Sequence, residues 1–276
     1  MELSFALPLV DGMDPDEMER HLRELSAMGY VAVEYLINDP DKVDKPILRS
    51  LLDKYDMKIS GFRTGAIYGA DSSLRLSNPD ETDRHRAIEC LKKVCRLSGE
   101  FNTYVMVGLM QGHLGKNEEF SQAQQLIIDS LREISEYAGE TGTTIMYEPV
   151  NRFELEYHNN VQEMVEVVER INDGIKHPVL LLLDVYHMHL EDPSVPSALV
   201  RGMKWMGHVH FSDSTRMPPG FGSIDFVEVL KMLYAMNYKG YVTVECLPVP
   251  SLLESARLSM EFLAPIMKSL ERCYHF

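Results

Sequence analysis

The sequence predicts a single (β/α)8 barrel, one domain over residues 1–276. Three observations predict it. Short apolar runs alternate with amphipathic stretches of helical period along the whole chain. Eight such runs are present, from SFAL near the start to YVTVEC near the end. No linker or composition break separates them. Strand–helix alternation implies parallel strands with right-handed crossovers, and eight units can close into a barrel. An open doubly wound sheet would want a G-x-G-x-x-G turn after the first strand. The residues there are LVDGMDPDE, which lack it.

The predicted strands are, in order, SFAL (4–7), VAVEYL (31–36), ISGF (59–62), YVMVGL (104–109), TTIMYE (143–148), VLLLLD (179–184), GHVHF (207–211) and YVTVEC (241–246). The stretches between them read as helices. Met18, Leu22 and Leu25 share one face of the first. Phe120, Ala123, Ile127, Ile134 and Ala138 share a face of a later one. Leu253, Ala256, Met260, Leu263, Met267 and Leu270 stripe the last. Asp14-Pro15 offers an N-cap with proline at the first helical position, and Ser77-Asn78-Pro79-Asp80 offers the same device. Methionines and Trp205 read as core packing.

Composition excludes several classes. At 45% apolar residues, 276 residues can bury a large core, which argues against disorder. No run approaches the roughly 18 apolar residues of a membrane span. The start, MELSFALPLVDGMDPDE, lacks a basic leader, so no secretory signal is expected. Cys90, Cys95, Cys246 and Cys273 form no C-x-x-C pair and read as reduced thiols of a cytoplasmic protein. A net charge of -15 disfavours nucleic acid as a partner, because such binding rests on neutralising phosphates.

In a barrel the chemistry sits at the C-terminal ends of the strands. Strand five ends in Glu148, strand six in Asp184, strand seven in His210 and strand eight in Glu245. Side chains alternate along a strand, so Leu182/Asp184, His208/His210 and Thr243/Glu245 are expected to face the same way, into the lumen. Three adjacent carboxylates would repel one another unless a cation lay between them. Three carboxylates and one imidazole suit Mn2+, Mg2+, Co2+ or Zn2+. Any one of the four alone reads better as a polar strand-end residue hydrogen-bonded to a loop. Four in succession at matching positions read as a metal centre. Glu154, His187 and Arg216 follow in the loops beyond, where a substrate would sit. Arg216 reads as an anion-holding fork or a solvated arginine, and His187 as a ligand-facing or capped histidine.

The motifs carry a resemblance. EPVNRFE (148–154), DVYHM (184–188), HVHFSDSTRMPPGFGSIDF (208–226) and YVTVE (241–245) occur in this order. With them the chain resembles the xylose isomerase-like TIM barrel superfamily, most closely the ketose 3-epimerases of the D-tagatose/D-psicose type. The resemblance spans essentially the whole chain. It implies a metal-dependent isomerase of carbohydrate metabolism that acts on a small sugar. One divalent ion, Mn2+ first, would be held by Glu148, Asp184, His210 and Glu245. Glu148 and Glu245 would double as the acid/base pair. Glu154, His187 and Arg216 would bind the substrate, and the chain would form a homodimer or tetramer. SDST stands where the free-ketose enzymes carry E-N-N, and Ile-Asp-Phe follows where a Trp is common, so the sugar and its phosphorylation stay open. Phe5, Glu34, Arg63 and His113 are candidates without roles; Glu34 reads as support for the site or as a packed glutamate.

The chemistry is self-consistent. A carbon acid beside a ketone ionises when a cation chelated by the carbonyl and neighbouring hydroxyl stabilises the enediolate. One carboxylate removes the proton and the other returns one from the opposite face, inverting the centre. Return to the neighbouring carbon would make the same site an aldose–ketose isomerase. A hydroxypyruvate-type isomerase and an inosose dehydratase are the alternatives on this scaffold. An endonuclease IV-like nuclease is a more distant one, disfavoured by the charge and the few histidines.

Overall fold

The computed structural model describes residues 1–274. Its strands are β1 (Glu2–Leu9), β2 (Ala32–Leu36), β3 (Lys58–Arg63), β4 (Val105–Val107), β5 (Ile145–Tyr147), β6 (Leu180–Asp184), β7 (Met206–Phe211) and β8 (Tyr241–Val244). Neighbours pair in parallel, and β8 returns to pair with β1, closing the barrel. The helices are α1 (Pro15–Met28), α2 (Lys45–Lys54), α3 (Gly65–Ala70), α4 (Glu81–Glu100), α5 (Phe120–Thr141), α6 (Val161–Asn172), α7 (Val185–Glu191), α8 (Val195–Gly202), α9 (Phe226–Ala235) and α10 (Leu252–Tyr274). The eight-stranded expectation holds. β4 and β5 are shorter than predicted because Gly108 turns the chain after Val107 and Pro149 has no N–H to extend the ladder.

Alternation along the strands builds two cores. Outward residues such as Phe5, Tyr35, Val107, Leu183, Val209 and Val244 pack under the helices in one large cluster. Inward residues fill the lumen unevenly. Met106, Met146 and Leu182 form a separate apolar plug inside β4, β5 and β6. Across the lumen, Ser4 and Ser60 hydrogen-bond at 2.6 Å, and the Thr243 hydroxyl meets His208 Nε2 at 2.9 Å.

Local signals mostly hold. Asp14 caps α1, accepting from the N–H groups of Asp16 and Glu17, with Pro15 at the first helical position. At α4 the cap is Asp80 and the helix starts at Glu81, so Pro79 lies outside it, contrary to expectation. Phe120 was expected on the buried face of its helix but is 42% exposed. As the first residue of α5 it packs sideways on Tyr157, with ring centroids 5.4 Å apart. Trp205 packs against the main core, half-buried. All four cysteines are free thiols. Among the described residues no helix is long and apolar enough to cross a membrane. The apolar stripe of the last helix and the CYHF that follows read from the sequence as a subunit contact; His275 and Phe276 of that end lie outside the described residues.

Candidate metal centre and active site

The site lies at the C-terminal end of the barrel, where β5 to β8 deliver their last polar residues. Glu148, Asp184, His210 and Glu245 come together there, and one donor atom from each falls within 4.8 Å of all the others. Asp184 and His210 are buried; Glu148 and Glu245 keep 14% and 21% of their side chains exposed. The predicted lumen pairs share an inward face. Leu182 sits in the apolar plug below Asp184, and His208 lies beside His210, with ring centroids 5.2 Å apart.

Each ligand candidate has its own support. Glu148 N donates to Val107 O at 3.0 Å, and its carbonyl accepts from Gln111 Nε2 at 3.1 Å. Its carboxylate packs over Gly108, where a Cβ would come within 2.6 Å of Oε2. Asp184 both ends β6 and caps α7, accepting from Tyr186 N at 2.8 Å. Arg216 bridges Asp184 and Glu245 through two different guanidinium nitrogens, the second at 2.5 Å from Glu245 Oε2. Arg63 reaches the other oxygen of Glu245, also at 2.5 Å.

These surroundings set the charges. Burial pushes the Glu148 carboxyl up, with Glu245 and Asp184 adding to the push, to about 8. Burial opposes charge on Glu245 too, but Arg216 and Arg63 outweigh it and hold its pKa well below the usual carboxylate range. Burial likewise opposes a charged His210, and Glu34 with Glu245 overrides it, raising that imidazole well above its ordinary value. The donor set fits a hard or borderline divalent ion: three carboxylates, one imidazole and no sulfur. Two buried donor atoms in it, Glu148 Oε1 and His210 Nδ1, have no hydrogen-bond partner, which is what an ion-binding group requires of its free lone pairs.

The three predicted substrate residues line the same cavity of ≈ 300 Å3. Asn151 organises two of them. Its Nδ2 donates to Glu154 Oε1 and to His187 Nδ1, each at 2.8 Å. An accepting Nδ1 leaves the His187 proton on Nε2, which lies 3.6 Å from Glu148 and 3.8 Å from Asp184. Arg216 sits at φ 60°, in the left-handed region that is strained for an arginine. Its loop is wound around the buried Asp213 carboxylate, which accepts from the N–H groups of Ser214, Gly220 and Ile224.

Of the residues without roles, Arg63 lines the cavity, and Glu34 lies beneath it against His210 and His208. Phe5 and His113 do not join. Phe5 points outward against Tyr30, and His113 is an exposed partner of Glu156. Sequence reasoning missed Asn151, Gly108 and Asp213. Asn151 stands inside the EPVNRFE motif and was within reach. Asp213 stands inside the HVHFSDSTRMPPGFGSIDF motif and was within reach too, since it holds its own loop through Ser214, Gly220 and Ile224. Gly108 acts through Glu148 of the next strand, which local patterning does not carry.

Comparisons with known proteins bear on the family and the fold. A family described as a xylose isomerase-like TIM barrel matches residues 9–266. Among curated relatives, a 3-dehydro-D-guloside 4-epimerase of Escherichia coli (strain K12) is 34% identical over 44% of this chain and 45% of its own. An L-ribulose 3-epimerase of Mesorhizobium japonicum is 26% identical over 83% of this chain and 75% of its own. Among solved structures, an L-ribulose 3-epimerase superposes with a TM-score of 0.85 at 21% identity, covering 98% of this chain and 96% of that one. A D-psicose 3-epimerase from Clostridium cellulolyticum H10, solved with D-tagatose, gives 0.80 at 18% identity over 97% and 99%. At such identities the structures establish the fold. These relatives are epimerases and hence isomerases, in line with the enzyme class expected from the motifs. From the match over nearly the whole barrel, the chain belongs to the xylose isomerase-like TIM barrel family.

Proposed function

We propose that the protein is a divalent-metal-dependent epimerase that inverts C3 of a ketose or ketose phosphate. Glu148 and Glu245 are its acid/base pair. The observation that carries this reading is the four-residue group at the ends of β5 to β8, with donor atoms within 4.8 Å of one another. Glu148, Asp184, His210 and Glu245 would hold the ion. An ion there, Mn2+ first, would draw charge from the carbonyl and adjacent hydroxyl oxygens of the substrate and so acidify the neighbouring carbon. One glutamate takes the proton from that carbon, and the other supplies a proton to its opposite face. His187 turns its Nε2–H toward the same group and can donate to a substrate oxygen. Glu154 offers a carboxylate for a hydroxyl. Arg216 clamps Asp184 and Glu245 and fixes the orientation of both.

The named activities of the relatives support inversion beside a ketone. The Escherichia coli relative supports a second reading, a keto-glycoside inverted at C4, because it is 34% identical where it aligns. The same residues serve either case.

Deuterium exchange tests this. Metal-loaded protein is incubated in D2O with ketoses, ketose phosphates or 3-dehydroglycosides, and NMR follows each carbon. Chelator-sensitive wash-in at ketose C3 is expected. Wash-in only at C4 of a 3-dehydroglycoside selects the second reading, and at C1 or C2 it means an aldose–ketose isomerase. No exchange from any pool, with the metal bound, overturns the proposal.

A further inference from the structure

Glu34 is fully buried at the inward face of β2 and does not line the substrate cavity. A bare carboxylate there would be costly, and three nitrogens crowd it, His210 Nε2 by a hydrogen bond and His208 and Arg63 at ion-pair distance. Oε2 lies 3.0 Å from His210 Nε2 and 3.1 Å from His208 Nε2. Oε1 lies 2.9 Å from Arg63 Nε. The other two guanidinium nitrogens of Arg63 donate to Glu245 Oε1 at 2.5 Å and to Leu7 O at 2.7 Å. One guanidinium on β3 therefore ties together β1, β2 and the end of β8.

The consequence falls on His210. A carboxylate at Nε2 keeps a proton on that nitrogen and leaves Nδ1 as the free donor. Nδ1 faces the four-ligand group, 3.2 Å from Glu245 Oε2 and without a hydrogen-bond partner. Metal-bound histidines are commonly oriented this way, by a carboxylate behind the ring.

We propose that Glu34 and Arg63 are positioning residues for the metal centre: Glu34 fixes His210 as the Nε2–H tautomer, and Arg63 locks Glu34 and Glu245 in one frame. This rests on the reading of Glu148, Asp184, His210 and Glu245 as the ion-binding group. A competing reading exists, because Glu34, His208 and His210 also have the composition and spacing of a metal group. The geometry argues against it. The imidazole nitrogens are already at hydrogen-bond distance from Glu34, and a guanidinium 2.9 Å away would repel a second cation.

Titration with Co2+ alone, read by its absorption spectrum and by competition with a chelator, tests the proposal. Wild-type chain should take up one ion. Glu34→Gln should bind it about 10- to 100-fold more weakly, with an altered spectrum and an unchanged metal-free circular dichroism. Equal affinity and spectrum in Glu34→Gln would overturn the proposal while leaving the four-ligand reading intact. So would two ions in wild type falling to one in Glu34→Gln. Wild type that binds no Co2+ would overturn the four-ligand reading and this proposal with it. Should Glu34→Gln not fold, 15N-histidine NMR of Zn2+-loaded wild type decides. His210 is expected protonated at Nε2 with Zn2+ at Nδ1, and the reverse assignment overturns the proposal.

Discussion

Glu148 and Glu245 face each other as the same residue type in opposite surroundings. Glu245 has a guanidinium on each oxygen, Arg63 on one and Arg216 on the other. Glu148 has none, and its Oε1 has no hydrogen-bond partner. The difference comes from the neighbouring strands. β4 and β6 bring Met106, Gly108 and Leu182 to the Glu148 side. β2, β3 and β7 bring Glu34, Arg63 and His208 to the Glu245 side. The lumen thus has an apolar half and an ionic half. The ionic half is paired largely within the chain, whereas on the apolar half burial pushes the Glu148 carboxyl up to about 8, so that a proton or a cation must meet it.

The largest effects should come from neutralising each glutamate. Glu148→Gln and Glu245→Gln should each cut deuterium exchange by at least about 10^3-fold, as expected when an acid/base group is lost. Their stabilities should part company. Glu245→Gln strands two largely buried guanidinium groups and should destabilise the metal-free protein by about 3 kcal/mol. Glu148→Gln removes a carboxylate crowded by Asp184 and Glu245 and should change it by no more than about 1 kcal/mol. Urea unfolding of chelator-treated protein measures both. Equal losses would show that the two sides are not asymmetric.

Metal addition should act next. Mn2+ at 100 times its Kd should stabilise stripped wild type by about 2.7 kcal/mol, seen as a higher Tm. Glu148→Gln should lose most of that gain. A gain of the same size in the variant would mean that the ion sits elsewhere.

Gly108→Ala probes the apolar half without touching charge. Its Cβ would come within 2.6 Å of Glu148 Oε2. The carboxylate must move, and exchange should fall about 10- to 100-fold, in line with the cost of misplacing a reacting group by about 1 Å. The metal-free Tm should barely change. Full activity would mean that Glu148 works from a range of positions.

The legible and hidden parts of the molecule divide along the same line. The four strand-end residues that come together were readable because each follows an apolar run, and strand period fixes which way it points. Glu154 and Arg216 were readable as loop residues just beyond, whereas His187, expected in a loop as well, lies in α7, which starts directly after Asp184. Glu34 and Arg63 stood out as strand-end polar residues, but their roles depend on contacts across the lumen to β7 and β8, which one-dimensional patterning does not contain. Phe120 misled for a related reason. Helical period marks a face but not where the barrel beneath it stops, and Phe120 begins α5 beyond that edge.

A third titratable group, outside both halves, sets the baseline against which they are read. His158 is buried between α5 and the outer face of β5. Burial, with Arg170 nearby, lowers its pKa from the ordinary 6.5 to about 4. Its Nε2 accepts from Gln124 Nε2 at 2.8 Å, a bond that only the neutral ring can make. Phe120 and Tyr157 pack on the ring, and Tyr147 lies 3.4 Å from Nδ1. The folded pKa is below the unfolded one, so the unfolded chain binds the proton first as pH falls. The stability tied to the neutral ring is whole above about pH 6.5, declines through the window down to about 4, and is gone below it. The loss should be on the order of 3 kcal/mol. His158→Gln should flatten that part of the pH–stability curve in chelator-treated protein and leave exchange activity unchanged. An unaltered slope between pH 6.5 and 4 would place the acid sensitivity with the carboxylates and His210 of the site.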